Sequence, residues 1–269
     1  MRFHLKLPLV PEPFLPPHHA GPLTVRLAET EAEIVAAQRL RYDVFYMEMG
    51  ARPTPAMAAA WRDFDDYDAL CDHLLVLDQS AGGRVVGTYR LLRQGVAQAH
   101  RGFYSAGEYD LSPLLAHQGP GQLLELGRSC VAPAFRTNAT ISLLWRGIAS
   151  YLEAHGISHL FGCASLHGAD PALHVAELAY LHHHHLAPPE LRARAFDSNH
   201  VPMDCLPATA IDPRAAAKAL PPLLKGYLRV GAMVGEGGFV DTQFNTVDVF
   251  VIMPVERIAS RYATRFAAS

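Results

Sequence analysis

The stretch Leu124-Glu125-Leu126-Gly127-Arg128-Ser129-Cys130-Val131 places a carboxylate and a guanidinium inside what otherwise reads as a buried strand. Few folds accommodate that. Stripping one partner from a buried ion pair costs about 3–5 kcal/mol, so both charges must be balanced or put to use. In a strand of strict period two, positions three apart face opposite sides of the sheet. Glu125 and Arg128 can share a face only if the strand bulges, and the natural place is Gly127, since glycine in a strand often marks a bulge. Two readings stay open: an ion pair at a strand end, and a working pair in a site.

The elements around this strand alternate. Leu23-Thr24-Val25-Arg26-Leu27 reads as a short strand, and Thr30-Glu31-Ala32-Glu33 has the form of a capping box opening a helix that ends by Gly50. A loop with Pro53 and Pro55 closes on the acidic run Asp63 to Asp68. Residues 73–77 and 84–92, joined across Gly82-Gly83, predict a hairpin. After the Glu125/Arg128 strand, which Pro133 ends, the spacing predicts a helix over 137–155 capped by Gly156, then a strand over 157–163. Asp170-Pro171, Pro213 and Pro221 start further helices, and a glycine-rich turn (Gly235, Gly237, Gly238) is expected before a last strand over 247–252. This order is that of a mixed α/β sheet with a more helical second half. Residues 1–22 are proline-rich and are expected to form an extension without regular structure; residues 23–269 read as one domain.

Composition narrows the function classes. Half of the 269 residues are hydrophobic and 18% are charged, enough for a sizeable core. A net charge of −3 argues against nucleic-acid binding through bulk charge. Cys71, Cys130, Cys163 and Cys205 are scattered, with no metal-ligand spacing, and read as reduced thiols in a cytoplasmic protein. No apolar run of membrane-spanning length or signal-peptide form is present.

Taken in order, Arg41…Phe45, Asp65-Asp66-Tyr67-Asp68, Gly87-x-x-Arg90-Leu-Leu and Glu125-Leu-Gly-Arg128-x-x-Val131 resemble the acyl-homoserine lactone synthases. The remainder, with Asp170-Pro171, Leu223-Leu-Lys-Gly-Tyr-Leu-Arg-x-Gly231-Ala and Asp241…Phe244…Asp248, departs from them and resembles the ornithine N-acyltransferases of bacterial ornithine-lipid synthesis. The resemblance spans about residues 23–254. It implies an acetyltransferase-like (GNAT, autoinducer-synthase-like) central sheet flanked by helices, with a helical C-terminal elaboration. It also implies transfer of a 3-hydroxyacyl chain from acyl carrier protein to the α-amine of ornithine, giving lyso-ornithine lipid. By the same resemblance Arg41 and Phe45 match a first-helix pair, Asp65 and Asp68 an acidic pair, Arg90 a hairpin arginine, and Glu125 and Arg128 the central-strand pair. Trp61 is out of register with the tryptophan of the lactone synthases.

Such a reaction needs a neutral amine, a proton acceptor and donors for a developing oxyanion. Glu125 is the candidate base, directly or through one water, with its pKa raised by desolvation and lowered by Arg128. Backbone N–H groups of residues 129–131 are the candidate oxyanion donors. For a diamino acid, Asp65 and Asp68 would hold amines and Arg90 or Arg128 the carboxylate. The segment 133–140 lacks the glycines with which coenzyme-A-dependent relatives cradle a diphosphate, which favours a carrier-protein phosphopantetheine arm as co-substrate, with no bound cofactor. Val131, Arg136 and Arg146 are placed on that donor side; solvated arginines are the plain alternative.

Other features are read as secondary. The run His182-His183-His184-His185 points in four directions, so no metal is assigned. Cys130 reads as packing rather than as a nucleophile. Arg257, Arg261 and Arg265 would make a basic stripe on a final helix, one route, with the proline-rich start, to peripheral contact with the inner membrane. The alternatives are another amino-acid acceptor, a lactone synthase using S-adenosylmethionine, and a catalytically silent module that binds carrier protein.

Overall fold

Two largely antiparallel blocks meet along a parallel seam, and the site lies at that seam. The computed structural model describes residues 15–117, 119 and 121–258. Its strands are β1 (His18–Ala20), β2 (Leu23–Leu27), β3 (Asp72–Asp78), β4 (Arg84–Arg93), β5 (Tyr109–Asp110), β6 (Gln122–Val131), β7 (Ile157–His167), β8 (Arg194–Ala195), β9 (His200–Val201), β10 (Met233–Asp241) and β11 (Thr246–Pro254). The helices are α1 (Glu31–Tyr42), α2 (Pro55–Ala60), α3 (Gln94–Ala99), α4 (Ser112–Ala116), α5 (Asn138–Ala154), α6 (Val175–His185), α7 (Pro213–Ala219) and α8 (Pro222–Arg229). The sheet order is β1-β2-β3-β4-β6-β7-β11-β10-β8-β5, with β9 on β10. The seam is the β6–β7 pair, which is parallel, while β4–β6 and β7–β11 are antiparallel. This is the mixed sheet flanked by helices that the sequence pattern implies.

The seam is zipped for only part of its length. β6 and β7 pair from Gln122/Ile157 to Glu125/Phe161; beyond that β6 stays on β4 as far as Val131, and β7 stays on β11 as far as His167. The sheet therefore splays open after Glu125. Where the strands part, an apolar cleft is lined by Leu126, Leu160, Gly162, Tyr227, Val251 and Met253. Gly162 sits at the fork, where an added Cβ would lie 2.2 Å from the Leu126 carbonyl oxygen.

Strand alternation assigns the faces. Glu125 is paired with Phe161, and Cys163 and Ser165 follow at every second position of β7; Ser165 is opposite Asp248 of β11. Glu125, Cys163 and Asp248 thus share one face. Leu74 and Tyr89 are opposite one another on the other face, and α5 packs there, with Gly147 against Val25 and Leu74.

Three expectations change. Residues 18–20, expected to lack regular structure, add β1 to the edge of β2; residues 1–14 lie outside the described residues. The glycines at 235, 237 and 238 lie inside β10 rather than in a turn, and the register slips between Val234 and Gly238. The reason is crowding, since a Cβ on Gly237 would meet the His200 ring at 2.4 Å. The turn comes later, with Asn245 left-handed (φ 55°) and Asp241 Oδ1 accepting the Gln243 and Phe244 amides. Of the expected final helix, residues 255–258 are helical, and Arg261 and Arg265 lie outside the described residues.

Gly162→Ala is expected to destabilise by at least about 1–3 kcal/mol, because the methyl group meets rigid backbone. Urea unfolding of the two proteins checks this; equal midpoints would mean that the fork is not close-packed.

Candidate active site

The strand bulges, but one residue later than expected. Arg90 of β4 faces Gly127 and Thr88 faces Cys130, so Arg128 and Ser129 together oppose Tyr89. Arg128 itself takes the left-handed conformation, with φ 50°. For a non-glycine residue this costs about 1–2 kcal/mol, so its surroundings must hold it there. The bulge lets Arg128 escape the alternation and join the charged groups on the face of Glu125.

What holds Arg128 is a buried ion network. Its Nε lies 3.3 Å from Asp63 Oδ2 and its Nη2 3.3 Å from Asp65 Oδ2. Its guanidinium also sits over the rings of Tyr104 (4.8 Å) and Phe244 (4.5 Å). Arg41, fully buried on α1, donates from Nε to Asp63 Oδ2 (2.7 Å) and from Nη2 to both oxygens of Asp68 (2.9 Å each). Arg90 donates from Nη1 to Asp65 Oδ1 (2.6 Å) and to Asp68 Oδ1 (3.4 Å). Tyr46 adds a hydrogen bond to Asp63 Oδ1, and Gln38 one to Asp68 Oδ2. Burial raises the pKa of Asp63 and Asp65, but the arginine charges outweigh it and hold both carboxyls below the ordinary value.

Glu125 faces a different set of donors. Its Oε2 accepts the Tyr104 amide (2.7 Å), and its Oε1 accepts the Ser105 amide (2.7 Å) and the Ser105 hydroxyl. Burial raises its pKa above the ordinary carboxylate value, opposed by these hydrogen bonds and by the charge of Arg90. From Ser105 the polar groups continue: Cys163 Sγ lies 3.7 Å from the Ser105 hydroxyl and donates to Glu108 Oε2 at 3.2 Å. Glu108 belongs to a trio with Asp241 and Asp248 whose carboxylate oxygens lie within 4.8 Å of one another. Burial raises Glu108 and Asp248, and neighbouring carboxylates add to it; Arg128 pulls both down, and the Ser165 and Thr246 hydroxyls pull on Asp248.

The donor-side residues are elsewhere. Arg136 donates from Nε to the Val131 carbonyl (3.0 Å) and grips Glu48 through both terminal nitrogens (2.6 and 2.7 Å). Arg146 donates to the His19 carbonyl. Phe45 packs edge-on against Phe244, beyond the ion network, where α1 has passed into a π-helix (Asp43–Glu48). Burial pushes the Cys130 thiol up to about 12, so it is inert as a nucleophile at neutral pH. In the histidine run, His183 bonds the Leu206 carbonyl and His185 the Tyr180 hydroxyl.

Comparison with known proteins fits this geometry. A family model described as an acetyltransferase (GNAT) domain matches residues 40–146. The curated L-ornithine N(alpha)-acyltransferase of Brucella abortus (strain 2308) is 48% identical, over 92% of this chain and 90% of its own. That of Rhizobium meliloti (strain 1021) is 47% identical, over 91% and 84%. The chain belongs to the L-ornithine N(alpha)-acyltransferase family. Among solved structures, FeeM, an N-acyl amino acid synthase from uncultured soil microbes, matches with a TM-score of 0.50 at 12% identity, covering 91% of this chain and 96% of its own; this speaks for the fold alone.

In this family member Arg41, Asp65, Asp68, Arg90 and Arg128 come together as the sequence pattern suggests, with Glu125 beside them. Sequence reasoning missed Asp63, although it heads the acidic run and ties Arg41 to Arg128. It also missed Tyr104, Ser105 and Glu108, which sit on a 3-10 turn (Tyr104–Gly107) and just after it, in a segment with no periodicity to flag them.

Replacing Arg41 by Met strands Asp63 and Asp68 and is expected to cost about 3–5 kcal/mol in denaturant unfolding. Arg128→Gly should be more stable than Arg128→Ala by about 1 kcal/mol, because glycine accepts the left-handed backbone; the reverse order would mean that the conformation is unstrained. Because Asp63 and Asp65 are depressed, their stabilisation is full above the unfolded carboxyl pKa of about 4 and is lost as pH falls through the folded value. Thermal melts of wild type between pH 7 and 3 should therefore fall steeply at the acid end, and those of Asp65→Asn less so.

Proposed function

We propose that this protein moves a 3-hydroxyacyl chain from the phosphopantetheine thioester of acyl carrier protein to the α-amine of L-ornithine, giving lyso-ornithine lipid. The observation that carries it is the splay between β6 and β7, where an apolar cleft opens in the gap that follows Glu125 along β6. A cleft walled by leucine, valine and methionine suits an acyl chain, and an adjoining charged face suits a zwitterionic amino acid. Family membership supports the acceptor.

In this reading the ornithine carboxylate lies on Arg128 and the α-amine faces the thioester. Nitrogen attacks the carbonyl carbon, the C–N bond forms, and negative charge gathers on the carbonyl oxygen. The edge of β6 beyond Glu125 has lost its β7 partner, and its amides are the proposed donors to that oxygen. Collapse breaks the C–S bond, and the departing thiolate leaves as the free phosphopantetheine thiol with the proton that Glu125 has taken from the amine. The amine proton goes to Glu125. An ionised carboxylate offers about four acceptor positions, and protein donors fill three, leaving one on Oε2. Arg90, Asp65 and Asp68 position Arg128 and Glu125, and we assign no amine to Asp68, whose oxygens already take Gln38, Arg41, Arg90 and the Asp65 amide.

The donor argument is one of what each phosphate needs. Residues 133–140 carry no glycine to bring backbone close to a diphosphate, while the arm of a carrier protein presents one phosphodiester. Arg136 and Arg146 are exposed and basic, and we place the acidic carrier protein on their side, with Val131 beside the arm. No cofactor resides in the enzyme in this scheme. No described helix is long and apolar enough to cross a membrane, and an amphiphilic product suits peripheral contact with the inner membrane from a cytoplasmic enzyme.

Kinetics with matched carrier-protein and coenzyme A thioesters test this reading. The carrier-protein thioester should win in kcat/KM by at least tenfold, and equal rates would remove the donor argument. Glu125→Gln should lower kcat by about 10²–10⁴ and abolish the acid limb of the pH profile, which in wild type lies above the ordinary carboxylate range because burial raises Glu125. A kcat within threefold of wild type in a folded variant would end the role of Glu125 as base.

A further inference from the structure

The acidic trio is not used by the ion network. Glu108 enters just after the 3-10 turn that Glu125 holds, Asp241 closes β10, and Asp248 lies on β11. Tyr109 fixes their approach, since its buried hydroxyl donates to the Asp248 carbonyl at 2.9 Å and so ties the residue after Glu108 to β11. Asp248 is 6% exposed, and its Oδ1 is buried without a hydrogen-bond partner. None of the three carboxylates forms an ion pair with a basic side chain among the described residues, whereas Asp63, Asp65 and Asp68 each do. The Ser165 and Thr246 hydroxyls favour the ionised Asp248, yet its Oδ1 keeps acceptor capacity that no described group fills.

The occupant is set by charge and position. The trio lies on the sheet face of Glu125 and Cys163, and the charge of Arg128 acts on both Glu108 and Asp248. A ligand held there presents a cation to the trio and lies in the field of the Arg128 guanidinium. We infer that Glu108, Asp241 and Asp248 form the subsite for the side-chain ammonium of the diamino-acid acceptor, while Arg128 takes its carboxylate. This rests on the ornithine reading above and sharpens it: the preference for a second amine comes from the trio, and the carboxylates of the acidic run have another task.

The geometry of the acceptor fits that division. With its carboxylate on Arg128 and its side-chain ammonium on the trio, ornithine presents its α-amine toward the splay. The α-carbon and three methylenes separate the two ends, and the Tyr104 and Phe244 rings that flank Arg128 offer apolar cover. Asp241 is only half-buried, which leaves an approach for the ligand from that side.

Direct binding tests it without the transfer reaction. Ornithine and norvaline, the same skeleton without the second amine, are titrated calorimetrically into the full chain and into Asp248→Asn and Glu108→Gln, with folding checked by circular dichroism. Wild type should bind ornithine about 10- to 100-fold tighter than norvaline, and each variant should lose most of that difference while keeping its norvaline affinity. Equal affinities in wild type, or a preference kept in both variants, would overturn the inference. So would Mg²⁺ or Mn²⁺ binding that depends on Asp248 while the ornithine preference does not. Failure of the functional reading looks different: ornithine binds through the trio, yet no acyl group is transferred to it.

Discussion

Three guanidiniums and three carboxylates buried beside a central strand are the constraint on which the site depends. Arg41, Arg90 and Arg128 face Asp63, Asp65 and Asp68, and losing a member strands its partners away from water. The network spans α1, the loop after α2, β4 and β6, so it clamps the first half of the chain onto the splayed edge. It also stabilises a backbone conformation that arginine does not favour. Without Asp63 and Asp65 to receive it, Arg128 would have no reason to leave the regular strand, and its charge would face the apolar side.

That conformation connects fold to chemistry. A regular β6 would send Glu125 and Arg128 to opposite faces; the bulge puts a cation and a buried carboxylate on one face, at the point where β7 turns away. The splay then leaves strand edge and apolar cleft together. Carboxylates near this point divide by partner. Those of the acidic run are neutralised by arginines from within the chain, while among the described residues Glu108, Asp241 and Asp248 pair with no basic side chain. Arg128 pairs directly with Asp63 and Asp65, and its charge acts on Glu108 and Asp248 as well.

Much of this could be read from the sequence because burying charge is costly. An apolar strand holding Glu and Arg three apart demanded a bulge and a set of counter-charges, and the acidic run with Arg41 and Arg90 was the obvious source. The bulge was misplaced by one residue because glycine is the usual left-handed residue, and only long-range ion pairs, absent from local pattern, move that role to Arg128. Asp63 carries no local signal for the same reason: its importance lies in joining two arginines distant in sequence. The turn carrying Tyr104 and Ser105 and the glycines inside β10 have no periodic signal, since tertiary crowding rather than propensity shapes them. Asp241 and Asp248 stood out only through resemblance, and their convergence with Glu108 depends on strand register.

The most direct test of the account is product mass spectrometry with purified protein, 3-hydroxypalmitoyl carrier protein and an equimolar mixture of the common amino acids and ornithine. The account predicts one acylated product, ornithine, with fragmentation placing the acyl group on the α-nitrogen. An acyl group on the side-chain nitrogen, or acylation of a monoamino acid in preference to ornithine, would contradict it.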